Sequence, residues 1–450
     1  MSSLAGTRLA LLGSRQAGMH FFEVVMSPQL LAMVLAPLLG LFIISIGNGF
    51  LSSLTTLRLD AAGTSPLMVG LISSAYFFGL TLGALFGDRV IVRTGHIRAY
   101  SSFASLTAVT ALAQALTTDP WIWLFLRLIN GWAIVGVFLV VESWLLLAGD
   151  QKMRGRLLAL YMIALYGAGM LGQMGLGMVD SWGPVAPFIV AGMLASISVL
   201  PMAIIPRTAP LVEKVEALSP RRLFADAPAG VAGCFGSGIA IGAVYTLLPL
   251  YLQRIGLDVQ NVGLMMASVI LGAMVLQYPV GRWSDMQDRR VVMIALGLLS
   301  VVLSAAIIML PPASSLLIGL LFLLGGCIFA MYPVAVSHAA DNASHDALVP
   351  MIQGLLLINS FGSAMSPLAI SSVMTEFGEA GLFWSFGVLN AVLVIFLIWR
   401  RRQKVVSPPA VPIAPAPILS PIRAEFRVTE EMVQGAIEND EAEQNAERAT

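Results

Sequence analysis

Long, unbroken runs of apolar residues alternate with short polar turns along most of the chain. Twelve runs fall at about 30–57, 66–87, 98–117, 121–142, 157–179, 185–205, 229–251, 262–281, 290–310, 315–337, 350–374 and 380–399. Each approaches the ~20 residues an α-helix needs to cross a hydrocarbon core. A helix also satisfies every backbone amide from within, as lipid requires. A lipid-facing barrel would alternate with period two, whereas these runs are continuous. Twelve transmembrane helices are therefore expected.

Composition narrows the class further. Of 450 residues, 58% are hydrophobic and 11% charged, and the mean hydropathy is +0.86. Soluble domains run ~45–50% apolar and ~25% charged. A soluble body, a disordered chain, a disulfide scaffold and a collagen-like chain are all excluded. Basic and acidic residues both number 25, so no nucleic-acid partner is expected. Cys234 and Cys327 lie inside apolar runs without metal or redox spacing, and are read as small hydrophobes.

Charge placement sets an orientation. Setting aside the remote Arg8, Arg423, Arg427 and Arg448, eighteen basic residues fall on one side of the spans, with Arg58 and Arg254 alone on the other. Both termini are therefore expected to be cytoplasmic. Residues 1–29 read as a cytoplasmic arm, 30–205 as a first six-helix bundle and 206–228 as a charged, proline-containing linker. Residues 229–399 form a second bundle, and 400–450 a basic anchor with a proline-rich, acidic, disordered tail.

The two bundles repeat each other. Val69-Gly70-Leu71 is followed by Gly79, and Val262-Gly263-Leu264 by Gly272 at the same separation. Gly167 with Gly172 corresponds to Gly362 with Pro367. The fold class expected is thus all-α and polytopic, with twelve transmembrane helices in two pseudo-symmetric six-helix bundles. Such a repeat places a solute site between the halves near the midplane, reached by rocking.

The turn Gly281-Arg282-Trp283-Ser284-Asp285-Met286-Gln287-Asp288-Arg289-Arg290 resembles the G-x-x-x-D-(R/K)-x-G-(R/K)-(R/K) signature of the major facilitator superfamily. Gly281, Asp285, Arg289 and Arg290 match; Met286 and Asp288 replace a basic residue and a glycine. Glycine is expected to let two helices approach closely, and the carboxylate to cap a helix or pair with arginine. The resemblance implies a latch that holds an outward-facing state. Val92-Arg93-Thr94-Gly95-His96-Ile97-Arg98 is a degenerate first-half copy with valine in the acid's place. Asp88, four residues earlier, is within reach of the same helical face, so Asp88, Arg93, Gly95 and Arg98 join the latch candidates. His96 is read as a basic loop residue.

Gly47-Asn48-Gly49, Ser74-Ala75-Tyr76-Phe77, Glu142-Ser143-Trp144-Leu145, Arg154-Gly155-Arg156-Leu157 and Leu248-Pro249-Leu250-Tyr251 sharpen the resemblance to the YcaD-like bacterial subgroup. It implies secondary transport and supplies no substrate.

Ionisable groups within spans default to functional hypotheses. Arg127 is the one basic residue well inside a span, followed by Asn130 and Gly131. The family's R-x-x-x-G pattern implies a cavity-facing arginine linked to proton coupling, able to hold an anionic group or modulate a carboxylate; a structural ion pair is the alternative. Ser45, Asn48, Ser52 and Thr55 share one helical face, as do Asn359, Ser363 and Ser366. Each stripe suits a cavity or helix packing. Tyr245, Gln277 and Tyr332 complete a candidate lining. Glu142, at the end of the fourth run, is a proton-relay candidate or a partner for Arg154 or Arg156. His338, Asp341 and His345 read as a solvated loop rather than a metal site, and no metal or cofactor is expected. No phosphate-binding loop occurs, so ATP-driven transport is not expected. The chain is read as a monomeric, non-enzymatic secondary transporter of a small solute by alternating access, with the proton as coupling ion in an efflux reading. A transporter-like sensor and an uncoupled facilitator are the alternatives.

Overall fold

The computed structural model describes residues 28–148, 154–204, 220–311, 314–341 and 348–403. The N-terminal arm, most of the linker and the acidic tail lie outside the described residues. Among the described residues every regular element is a helix. The first half holds α1 (Pro28–Ala61), α2 (Pro66–Thr94), α3 (His96–Leu116), α4 (Pro120–Ala148) and α5 (Arg154–Asp180). Its sixth crossing is α6 (Ala186–Ile197), continued by α7 (Val199–Ile204). A short α8 (Pro220–Asp226) precedes α9 (Pro228–Arg254), α10 (Val259–Met286), α11 (Arg289–Met309), α12 (Leu316–Ala340), α13 (Leu348–Phe377) and α14 (Gly381–Gln403).

Eleven crossings among the described residues are long and apolar enough to span a membrane. The twelfth expected span, α3, has the length, but Ser101, Ser102, Ser105, Thr107, Thr110 and Gln114 dilute its hydropathy. It packs against α4 and α6, and Thr107, Thr110 and Gln114 are buried.

Short joints stack the helices as an up-and-down array. One end carries the joints at residues 95 and 287–288, together with the start of α8, and is called the linker end below. The distal end carries the turns after α1, α3, α9 and α13. Gly95, at φ +78°, is the whole joint between α2 and α3; a side chain there would be strained. Asp258 and Asp288 cap α10 and α11 by accepting from Asn261 N (2.8 Å) and Arg290 N (2.9 Å).

The halves repeat in packing as well as sequence. Helix α2 lies on α4 as α10 lies on α12, and α1 lies on α5 as α9 lies on α13. Backbone contact makes these pairs. A Cβ at Gly131 would fall on the Tyr76 carbonyl, and one at Gly79 on that of Leu128. Gly325 faces the Val269 carbonyl and Gly272 the Phe322 carbonyl in the same way. Small residues serve this purpose in membranes, where close van der Waals contact drives helix association. Two crossed pairs join the halves, α2 with α13 and α5 with α10. Their tightest points lie toward the distal end, with Gly70 against Pro367 and Ser371, and Gly263 against the Gln173 carbonyl.

Gly281 corrects an expectation. A Cβ added there meets nothing within 4 Å, so this glycine makes no close helix approach in the described state. The two glycines should therefore behave oppositely. Gly131→Val overpacks the α2–α4 seam and is expected to destabilise by roughly 1–3 kcal/mol. Gly281→Ala is expected to be neutral or stabilising, by up to about 1 kcal/mol. Thermal unfolding of the purified variants measures both; equal effects would contradict the seam.

Candidate functional site

The α2–α4 seam delivers the central charge. Because Gly131 admits the Tyr76 backbone, the Tyr76 ring lies over the Arg127 guanidinium, 4.1 Å from ring centroid to Cζ. Arg127 is 1% exposed. Its Nη2 donates to Ser52 Oγ on α1 (2.9 Å), and its Nη1 to Asn130 Oδ1 one turn along α4 (3.4 Å). Asn130 is held in turn by donating to Thr110 Oγ1 of α3 (3.0 Å). Arg127 forms no ion pair among the described residues, and its Nε finds no acceptor there. The equivalent position before Gly325 is Leu321, so the repeat carries this charge on one side only.

A small cavity adjoins the cluster at the centre of the bundle. Ser45, Asn48, Gly49 and Ser52 of α1, Tyr76 and Phe77 of α2 and Tyr166 and Gly169 of α5 line it, with Tyr245 of α9 and Ile270 of α10 opposite. Asn48 Nδ2 donates to Tyr76 Oη at 3.2 Å. Ser45 and Tyr166 are each 3% exposed, and their hydroxyls have no partner among the described residues. Tyr166 and Tyr245 both stand edge-on to Phe329.

About one helical turn nearer the linker end, α5 parts from α10 and α12. A cavity of about 550 Å³ opens there, lined by Leu158 and Met162 on one side and by Gln277, Asp285, Pro333 and Ser337 on the other. At the distal end the halves are tied. Arg254, closing α9, reaches Asp60 at the end of α1 (2.7 Å) and Glu379 between α13 and α14 (2.9 Å). Arg58 pairs with Asp180 within the first half.

The structure sorts the candidates. Asn48, Ser52 and Tyr245 line the central cavity, Gln277 lines the larger one, and Arg127 and Asn130 lie directly behind Ser52 and Tyr76. Asn359 and Tyr332 are not brought to either cavity. Asn359 Nδ2 donates to the Cys234 carbonyl, while Ser363 and Ser366 donate to those of Gly238 and Ile239. The second stripe therefore fastens α13 to α9. Glu142 is 2% exposed and lies within α4, which runs six residues past it; the Arg154 and Arg156 side chains fall outside the described residues.

At the signature turn, Asp285 and Arg289 pair at 3.3 Å, and Arg289 Nε donates to Asp341 of the α12 cap at 2.6 Å. Arg290 Nε donates to His338 Nε2 at 3.3 Å, and Arg401 of α14 faces Asp288 at 3.7 Å. These contacts all lie inside the second half. Asp341 is held above the usual carboxylate range because burial outweighs the neighbouring Arg289. In the first half, Asp88 accepts from the Arg89 amide, and Asp88, Arg93 and Arg98 form no ion pair among the described residues.

Two loop assignments are corrected. His96 is the first residue of α3, is 1% exposed, and lies 3.1 Å from Ser143 Oγ. Helix α2 continues to Thr94, which leaves no loop for it. His338 likewise sits within α12 at 9% exposure, and its Arg290 contact replaces the solvated loop. Tyr76 and Tyr166 line the cavity with the expected Tyr245, while Tyr332 does not; a tyrosine in an apolar run carries no local sign of which it will do. The Arg254 tie was missed because its three residues lie 60, 254 and 379 along the chain. The available signal was the scarcity of basic residues on the distal side, where Arg254 and Arg58 stand among acids such as Asp60, Asp180 and Glu379.

Comparison with known proteins agrees with this architecture. The sequence profile of the Major Facilitator Superfamily matches residues 37–345 and 255–430. YcaD of Escherichia fergusonii, an uncharacterised MFS-type transporter, is 31% identical over 371 residues, covering 82% of this chain and 96% of that one. An uncharacterised MFS-type transporter of Yersinia pestis is 32% identical over 375 residues, covering 82% and 95%. The fold is shared with the nucleoside transporter NupG (TM-score 0.67, 15% identity, 84% and 100% covered). It is shared too with a D-xylose–proton symporter (TM-score 0.61, 16% identity, 82% and 96% covered). This chain, a multi-pass membrane protein, belongs to the major facilitator superfamily.

Proposed function

We propose that the protein is a secondary transporter that carries a small solute across the bacterial inner membrane by alternating access. The linker end, which holds most of the basic residues, faces the cytoplasm in this reading. The observation that carries the proposal is the contrast between the two ends. The halves meet at backbone distance and through Arg254 at the distal end, yet part around a cavity at the linker end. That contrast matches one stage of a rocking cycle, the state open to the cytoplasm. The superfamily fold, found also in a nucleoside transporter and a sugar–proton symporter, supports the same reading.

The latch residues fit this stage. Asp285 and Arg289 are engaged within their own half, so the turn is free of the other half and ready to grip it when the linker end closes. The direction we favour is export. Proton coupling, where present, runs through Arg127 and Glu142, the ionisable residues buried along α4. The protein works as a monomer in this scheme, since both cavities lie inside one chain.

Topology is tested by cysteines introduced in a background lacking Cys234 and Cys327. A membrane-impermeant thiol reagent in the periplasm should label Ala62→Cys and Asp119→Cys and spare Gln287→Cys. The opposite pattern inverts the orientation and overturns the cytoplasmic-open assignment.

The distal tie is tested by Ser371→Cys, a position 1% exposed and packed toward Gly70. Arg254→Gln removes the cross-half pair with Asp60 and the pair with Glu379 inside the second half, each a partly exposed contact of about 1 kcal/mol or less. Labelling of Ser371→Cys from the distal side should then accelerate several-fold. An unchanged rate would show that these ion pairs do not hold the halves together.

A further inference from the structure

We infer that the central cavity takes its ligand by a carboxylate: the solute is a small organic monoanion with an apolar or aromatic body. The inference rests on the transport reading and names the substrate class of the same site.

Three features of the lining converge on it. The first is an unneutralised charge. Arg127 is buried directly behind the cavity wall made by Ser52 and Tyr76, with no ion-pair partner among the described residues, held by a hydroxyl, an amide oxygen and a ring face. A charge inside a span is costly, and a cationic solute beside it would add repulsion to that cost. An anion removes it. A single positive charge also selects a single negative one, because a phosphate dianion would leave a net charge behind in the same low-dielectric space.

The second feature is hydroxyl polarity. Ser52 Oγ accepts from Arg127 Nη2, so its own proton is directed elsewhere, and Ser52 lines the cavity. Ser45 and Tyr166 add two hydroxyls that are more than nine-tenths buried, line the same cavity and have no partner among the described residues. Three donors beside a guanidinium are matched by an acceptor-only group. A carboxylate offers two oxygens and about four lone-pair sites, with no hydrogen of its own to place.

The third feature is the wall. Phe77, Phe138, Leu165 and Ile270 complete the lining, with the rings of Tyr76 and Tyr245. The cavity holds about 40 Å³, so these faces meet the carboxylate head and its first carbons, and the rest of the solute extends toward the larger cavity one turn nearer the linker end. No carboxylate lines the cavity, so an amine finds no counter-charge there.

Matched solutes that differ only in head group test the assignment on the purified full-length protein. Thermal unfolding is measured with benzoate, benzamide, benzylamine and phenyl phosphate, and with hexanoate, hexanamide and hexylamine. At least one carboxylate should raise the unfolding midpoint, by mass action on the folded state, above its amide, amine and phosphate counterparts. The rise should vanish in Arg127→Gln, persist in part in Arg127→Lys, and shrink in Ser52→Ala. The lysine and serine variants keep the test decisive if the glutamine variant does not fold. Stabilisation led by an amine, an amide or phenyl phosphate overturns the assignment, as does a carboxylate response insensitive to all three substitutions, or no response to either carboxylate. Labelling of Ser371→Cys and Gln287→Cys from both sides, without any solute, reports rocking independently. Rocking without a carboxylate effect leaves the transporter and removes its substrate class; a rigid distal end removes the transport reading itself.

Discussion

In a bilayer two helices gain little hydrophobic energy by meeting, because lipid tails are as apolar as leucine side chains. What holds this bundle together is approach at backbone distance where a side chain is missing. Gly79 and Gly131 make that approach between α2 and α4, and Gly272 and Gly325 make it between α10 and α12. The first seam has a chemical consequence that the second lacks. It sets the ring of Tyr76 over Arg127, whose guanidinium also donates to Ser52 of α1 and to Asn130 one turn along its own helix. The seam therefore positions the one central charge as well as holding the helices.

A guanidinium in a span costs about 2.5–3.5 kcal/mol on insertion scales, before any partner is counted. A built-in carboxylate would be the direct remedy, and none stands there. The chain spreads the charge over weaker partners instead. Ser52 and Asn130 accept hydrogen bonds, Thr110 fixes Asn130, and the Tyr76 ring contributes its negative face. This arrangement holds the arginine in one geometry while leaving its charge uncancelled. In the second half the same place is Leu321, so the electrostatics of the cavity are one-sided although its scaffold is nearly symmetric.

The parts legible in the sequence are those with a local or periodic signature. Apolar run lengths gave the helices, and glycine spacing gave the repeat, since Gly70 and Gly263 do sit at equivalent crossings between the halves. The polar face of α1 was equally readable: Asn48 and Ser52 lie on it, and both line the cavity. The matching stripe on α13 looked the same in sequence and serves packing, because glycines 238 and 242 of α9 draw its serines against backbone carbonyls. Nothing in α13 alone distinguishes these outcomes; the partner helix decides. Helix ends were the other weak point. His96 and His338 fell just beyond the apolar runs, but α3 begins and α12 continues through them, so both histidines are buried by neighbours remote in sequence.

Burial separates the two sets of ion pairs by what each is able to do. The distal tie is partly wet, with side-chain exposures of 24% for Arg254, 21% for Asp60 and 32% for Glu379. When such a pair opens, water takes up both charges, and the loss is about 1 kcal/mol or less for each. A contact of that size biases an equilibrium without freezing it. The linker-end pair of Arg289 and Asp341 is drier, at 4% and 14%. Removing one partner from a buried pair costs roughly 3–5 kcal/mol, because the other charge is stranded. That pair joins α11 to α12 inside one half and acts as a staple. Asp285 touches the same arginine but is 40% exposed, so it is free to leave while Asp341 keeps Arg289 neutralised. Under alternating access, the distal pair that must part is Arg254 with Asp60, and the latch residue free to change partner is Asp285, all three at least one-fifth exposed. The drier pair beside Asp285 would keep the second half rigid through such a cycle.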